Sequence, residues 1–290
     1  MRDYVIMTDS CCDLTAQLAD ELGIVVLPLT LLMDGQEYRN YLDGREIAPK
    51  DFYNRIRSGS MPTTSAINVG EFEEAMRPIL AAGKDLIYLA FSSGLSTTYQ
   101  SACIAAESLR SEFPEAKLHV VDTLAASMGQ GMLVYLCAQQ KKAGKTVDEL
   151  RDYAEEIKLK ICHWVTVDDL NHLKRGGRVS AATALFGTML TIKPIIHVDN
   201  EGHLINVAKA RGRKVSLMTL ADEMEKRAID PAEQTIFISH GDCEEDVNLL
   251  ADELRKRFGV KEVIINYVGP VIGAHTGAGV VALFFVGTER

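Results

Sequence analysis

The stretch that most constrains this chain runs from Asp85 to Leu109. Asp85-Leu86-Ile87-Tyr88-Leu89 is an apolar run of the length expected for a buried strand. Tyr99 to Leu109 has the pattern of a helix. Between them lies Ala90-Phe91-Ser92-Ser93-Gly94-Leu95-Ser96-Thr97-Thr98, which holds five hydroxyl side chains and one glycine. Open α/β sheets bind ligands beyond the carboxyl ends of their parallel strands. A helix that starts there offers unpaired N–H groups and the positive end of a dipole. Hydroxyls add hydrogen-bond donors without adding charge. The expected guest is a small anion, such as a carboxylate or a phosphate. The plainer alternative is a helix cap, for which a single hydroxyl is enough.

The rest of the chain supports an α/β reading. Val5 to Ser10, Ile24 to Met33 and Leu118 to Asp122 are further strand candidates. Val69 to Ala82, Ala125 to Ala143 and Val147 to Lys158 are helix candidates. Strand alternating with helix predicts a mostly parallel sheet, assigned here to an N-terminal domain over residues 1–160. From residue 161 to 290 the pattern changes. Ile192 to Val198 and Leu204 to Ala208 flank Asp199-Asn200-Glu201-Gly202 as a hairpin, with strands at Thr235–Ser239 and Glu262–Asn266. Lys214 to Arg227 and Glu244 to Phe258 are helical, and Ala181 to Leu190 is small and apolar. This predicts a second α/β domain with a mixed sheet. With no low-complexity linker between them, the domains should share a large interface, where ligands often bind.

Composition excludes several function classes. The net charge of −9 argues against a nucleic-acid partner. No apolar run is long enough for a membrane span. Met1 to Ile6 enters a strand pattern at once, so no signal peptide is expected. The six cysteines form no CxxC pair and sit mostly in apolar surroundings. That suits free thiols in a reducing, cytoplasmic location.

Several constellations compete as sites. Ser93, Asp122 and His240 follow three strands in the chain order of an α/β-hydrolase triad, but Gly-x-Ser-x-Gly is absent around Ser93. Ala143-Gly144-Lys145-Thr146 imitates the end of a P-loop, yet position 139 is Gln and the context is helical. His240-Gly241-Asp242-Cys243 lacks partners at zinc spacing, so no metal is expected. Gly269 to Gly279 is a glycine-rich loop with His275 at its centre. Glycines there allow backbone to approach a ligand closely. Ser58 to Ser65 is a second hydroxyl-rich loop. Lys174, Arg175, Arg178, Lys209, Arg211, Arg213 and Lys214 concentrate positive charge in an acidic chain, as a solvated face or a site for an acidic partner.

These motifs, taken in order, resemble the DegV family. Thr8-Asp9-Ser10 with Asp13-Leu14, Pro62-Thr63-Thr64-Ser65 and Ser92-Ser93-Gly94-Leu95-Ser96-Thr97-Thr98-Tyr99 are similar to its signatures. So are Lys174-Arg175-Gly176-Gly177-Arg178, Lys193-Pro194-Ile195, His240-Gly241-Asp242 and Gly269 to Gly279. The resemblance spans essentially the whole chain. Two positions depart from it: Ala66 where the family usually has Gln, and Thr97 where it usually has Gly. The resemblance implies a two-domain α/β protein that binds one long-chain fatty acid at or beneath the domain interface. It implies no cofactor and no catalytic residue of its own. The bound carboxylate would be presented to a separate ATP-dependent fatty acid kinase, whose acyl phosphate feeds phospholipid synthesis. Carried over by motif, Thr64, Ser65, Ser93, Ser96 and His275 bind the carboxylate. Arg175, Arg178, Arg211 and Arg213 are expected to face the partner or its phosphate. Beside a bound carboxylate the charged form of His275 is expected to be favoured.

Overall fold

Strands and helices alternate through much of the first half of the chain, interrupted by three successive strands between Ile24 and Arg39. The structure is a computed structural model and describes residues 2–180 and 191–290. The apolar segment predicted at 181–190 lies outside the described residues. In order, the strands are β1 (Tyr4–Asp9), β2 (Ile24–Leu27), β3 (Thr30–Met33), β4 (Gln36–Arg39), β5 (Thr63–Ser65), β6 (Asp85–Ala90) and β7 (Leu118–Asp122). They continue with β8 (Ile161–Thr166), β9 (Ile192–Val198), β10 (Leu204–Arg211), β11 (Thr235–His240), β12 (Glu262–Tyr267) and β13 (Val281–Val286).

Among the described residues three sheets form. The first is parallel, in the order β2-β1-β6-β7. All six residues of β6 are buried, as a strand covered on both faces requires. The second is mixed, in the order β10-β9-β8-β13-β11-β12, with β11 and β12 its parallel pair. The third is a small antiparallel sheet, β4-β3-β5. The single strand predicted over Ile24 to Met33 is therefore two strands in different sheets. Pro28 lies between them, and a residue without an N–H cannot continue the ladder.

Helix Met128–Lys142 joins the two large sheets. It packs against β1 and β6 on one side and β8, β11 and β13 on the other. Two glycines on it let neighbouring segments approach closely. A Cβ on Gly129 would sit 2.1 Å from His163 Nε2, and one on Gly131 would sit 2.5 Å from the Cys12 carbonyl oxygen. One apolar cluster accordingly runs from Ile6 and Leu89 through Met132 and Leu133 to Phe237 and Phe284.

The glycine-rich stretch after β12 differs from the predicted loop. Pro270–Thr276 is a short helix, with Pro270 at its first position, where a proline ring is pre-set for helical φ. Gly277, at φ 76°, ends it.

Candidate functional site

Beyond the carboxyl end of β6 lies a cavity of about 420 Å³ between the two large sheets. The strand end is pinned by the buried Asp9 at the end of β1. Its carboxylate accepts the Tyr88 hydroxyl at 2.6 Å, the Phe91 N–H at 3.0 Å and the Cys11 N–H at 3.0 Å. Thr64, Ser65, Ser93, Ser96 and His275, the predicted carboxylate residues, all line this cavity. They come from β5, from the loop after β6, and from helix Pro270–Thr276. The remaining wall is mostly apolar. Val165, Ile196, Val198, Ala282 and Phe284 come from the mixed sheet, with Leu29 and Phe91 opposite.

The polar residues are linked to one another. Thr64 Oγ1 and His275 Nε2 are 2.9 Å apart. Arg178 also lines the cavity, and its Nε and NH2 donate to the Leu95 carbonyl at 3.2 and 3.0 Å. Ser96 Oγ lies 2.8 Å from Thr98 Oγ1 and accepts the Thr98 N–H at 3.2 Å. The N-cap residue of the helix Thr98–Glu112 is Thr97, and its side chain makes no capping hydrogen bond, so the plainer reading of these hydroxyls as a helix cap is not what the structure has. Ser93 donates its backbone N–H to Asp122, and its hydroxyl has no protein partner among the described residues. Ala66 and Thr97, the two departures from the family pattern, both lie in the cavity wall.

Electrostatics at the polar end are net positive. Burial, with the Arg178 and Arg175 guanidiniums nearby, pushes the His275 imidazole down to about 4. The ring is therefore neutral near pH 7 in the ligand-free protein, unlike the charged form expected beside a carboxylate. Its Nδ1 is buried without a hydrogen-bond partner among the described residues. Gly176 approaches it so closely that a Cβ there would lie 2.1 Å from Nδ1. Burial likewise lowers the Arg178 guanidinium from its ordinary value.

The predicted basic group is divided in space. Arg178 belongs to the cavity wall. Arg175 is exposed and reaches His172 Nδ1 at 2.8 Å. Arg211 is exposed at the end of β10. Arg213 turns inward, donating to Asp246 at 2.8 Å and to the Gly279 carbonyl at 2.6 Å.

The hydrolase alternative is not assembled. Asp122 spends its carboxylate on the backbone N–H groups of Ser93 and Leu124. His240 Nδ1 accepts the Cys243 N–H, and its ring packs on Tyr267 with centroids 4.5 Å apart. Among the described residues no hydrogen bond joins Ser93 to His240, because β6 and β11 belong to different sheets. Also among the described residues, no group of three metal-ligating side chains forms and no helix is long and apolar enough to cross a membrane.

Comparison with known proteins fits this geometry. A family model described as an uncharacterised protein of the DegV family matches residues 3–288. A DegV domain-containing protein of Clostridium perfringens is 49% identical over 290 residues, covering 100% of this chain and 99% of the relative. A DegV family protein of Thermus thermophilus, solved as a fatty-acid-binding protein, is 32% identical with a TM-score of 0.85, covering 98% and 99% of the two chains. A DegV lipid-binding protein of Thermotoga maritima is 28% identical with a TM-score of 0.87, covering 99% of each chain.

Proposed function

Because the chain belongs to the DegV family, we propose that its cavity holds one long-chain fatty acid and that the protein offers the carboxylate to a separate ATP-dependent kinase. The observation that carries this reading is a mostly apolar cavity whose polar residues, among those described, are hydroxyls, two neutral imidazoles (His163 and His275) and one guanidinium. A chain of ~16 carbons buried at ~0.8 kcal/mol per CH₂ offers roughly 10 kcal/mol before the costs of ordering. The tail thus supplies most of the affinity. The head group needs only enough hydrogen bonds to avoid the cost of burying a bare carboxylate.

Thr64, Ser65, Ser93, Ser96 and His275 are the proposed carboxylate contacts. The protein acts as the non-catalytic, acyl-carrying subunit, and its proposed setting is the cytoplasm. Arg175 and Arg211, exposed in an otherwise acidic chain, are the proposed contacts for the kinase or its phosphate. Acyl phosphate formed this way would enter phospholipid synthesis.

Native mass spectrometry of the purified protein tests the ligand class. A co-purifying mass near that of a fatty acid is expected. Protein that stays ligand-free after incubation with palmitate and oleate would refute the reading. Adding ATP and a cognate kinase to the loaded protein tests the second half, with acyl phosphate as the expected product.

A further inference from the structure

Ser92 makes more bonds than any neighbour in its loop, and none of them points at the cavity. Its backbone N–H donates to the Ala125 carbonyl at 3.0 Å. Its carbonyl accepts the N–H groups of Leu95 and Ser96, each at 3.1 Å. Its hydroxyl accepts the Gly94 N–H at 3.2 Å and donates to the Gly202 carbonyl at 2.9 Å. The residue is fully buried. Its loop-internal bonds fold Ser92 to Ser96 into the tight turn that carries Ser93 and Ser96. The last bond leaves the turn for the tip of the β9–β10 hairpin in the other sheet.

The contact between turn and tip is close on both sides. A Cβ on Gly94 would lie 2.8 Å from the Glu201 carbonyl oxygen. One on Gly202 would lie 2.1 Å from Ser92 Oγ. Gly202 also stands at φ 80°, a conformation that favours glycine. The arms of this hairpin wall the cavity: Ile196 and Val198 on β9, Leu204 on β10. The tip has a second anchor, since Arg290 NH1 donates to the Asp199 carbonyl at 3.0 Å and to the Leu124 carbonyl at 2.6 Å. Among the described residues β10 is the edge strand of its sheet, so there the hairpin is held by strand pairing on one side only.

We propose that Ser92 is a positioning residue that couples the docking of the β9–β10 hairpin tip to the shape of the Ser93–Ser96 turn. The hairpin closes the apolar wall, and through Ser92 the same docking sets the head-group hydroxyls. Coupling of this kind is reciprocal: a ligand that orders the turn holds the tip down, and a tip that lifts loosens the turn. The inference rests on the fatty-acid reading only for the identity of that ligand.

The test uses the full chain, with hydrogen exchange and palmitate titration. Without any fatty acid, Ser92→Ala should speed exchange at the 199–203 turn and at the 94–96 amides together. Speeding at one site alone overturns the coupling. In the wild-type protein palmitate should slow exchange at the 199–203 turn, and Ser92→Ala should abolish that slowing. A residue needed only for folding would not make tip protection depend on ligand. Palmitate affinity should fall on the order of 5-fold, the usual effect of losing one net hydrogen bond. Gly94→Ala, whose methyl would press from the same turn on the Glu201 carbonyl of the tip, should reproduce both effects if Ser92→Ala fails to fold. Wild-type protein that binds palmitate with no change at the tip refutes the coupling and leaves the fatty-acid reading intact. Wild-type protein that binds no palmitate refutes the fatty-acid reading, and the ligand-free comparison still decides the coupling.

Discussion

Gly176→Ala tests the polar end of the cavity without removing any hydrogen-bonding group. Gly176 closes the short helix Asn171–Arg175 at φ −73°, a backbone conformation open to any residue. On backbone grounds alone, alanine there would add about 0.4–1 kcal/mol of stability by restricting the unfolded chain. The neighbours reverse the expectation for binding. The new methyl would lie 2.1 Å from His275 Nδ1, well inside contact distance, so either the ring or the Gly176 turn must move. If the ring moves, the 2.9 Å contact with Thr64 is lost. If the turn moves, Arg178 moves with it, because its guanidinium bonds the Gly176 carbonyl and also holds Leu95. Both routes disturb a head-group residue, and one net hydrogen bond is worth about 1 kcal/mol, or about 5-fold in affinity. Displacement of a fluorescent fatty acid should therefore show weaker binding, while the ligand-free protein still folds, its stability lowered by about 1–3 kcal/mol from the overpacked methyl less the backbone gain. Unchanged affinity in a folded variant would mean that His275 plays no part in holding the ligand.

Thr64→Ala and Ser96→Ala should each weaken fatty acid binding, since a hydrogen bond to a charged group is worth roughly 1.5–3 kcal/mol; wild-type affinity in both would sink the carboxylate assignment. Arg175→Gln and Arg211→Gln should slow acyl phosphate formation by the partner kinase and leave affinity alone, and a parallel fall in both readings would assign these residues to the fold. Asp13 gives a pH signature. It is buried, accepts the Ser127 hydroxyl at 2.6 Å and the Gly269 N–H at 2.9 Å, and burial raises it from 3.8 to about 7. A raised carboxyl stabilises the fold fully below its unfolded pKa and loses that contribution as pH climbs through the folded one. Asp13→Asn has no such loss, so its Tm relative to wild type should rise between about pH 4 and pH 7, and parallel Tm–pH curves would show that Asp13 does not titrate there.

Local signals carried the framework and failed where distant segments meet. The run at β6 is legible because a strand buried on both faces needs no alternation, and its hydroxyl loop follows directly. Pro28 marks a strand end, but the apolar residues on both sides hide the change of sheet. In Gly269 to Gly279 the glycine content masks Pro270 at a helix start. Arg178 is the instructive case. Its place among Lys174, Arg175 and two glycines suggests an outward basic loop. Its burial depends on Gly176 meeting His275 and on a carbonyl at Leu95, and no periodicity records either contact.

That placement bears on how a carrier could release what it holds. A free guanidinium facing a carboxylate would grip it through two parallel bonds and shield both oxygens. Arg178 has already committed Nε and NH2 to Leu95 and NH1 to Gly176. It lends positive potential to the polar end while its donors hold the loop that carries Ser96. Under the proposed reading, the ligand's oxygens are left to hydroxyls and the His275 imidazole. Those bonds are enough to offset burial of the carboxylate and weak enough to leave an oxygen open to a phosphoryl donor.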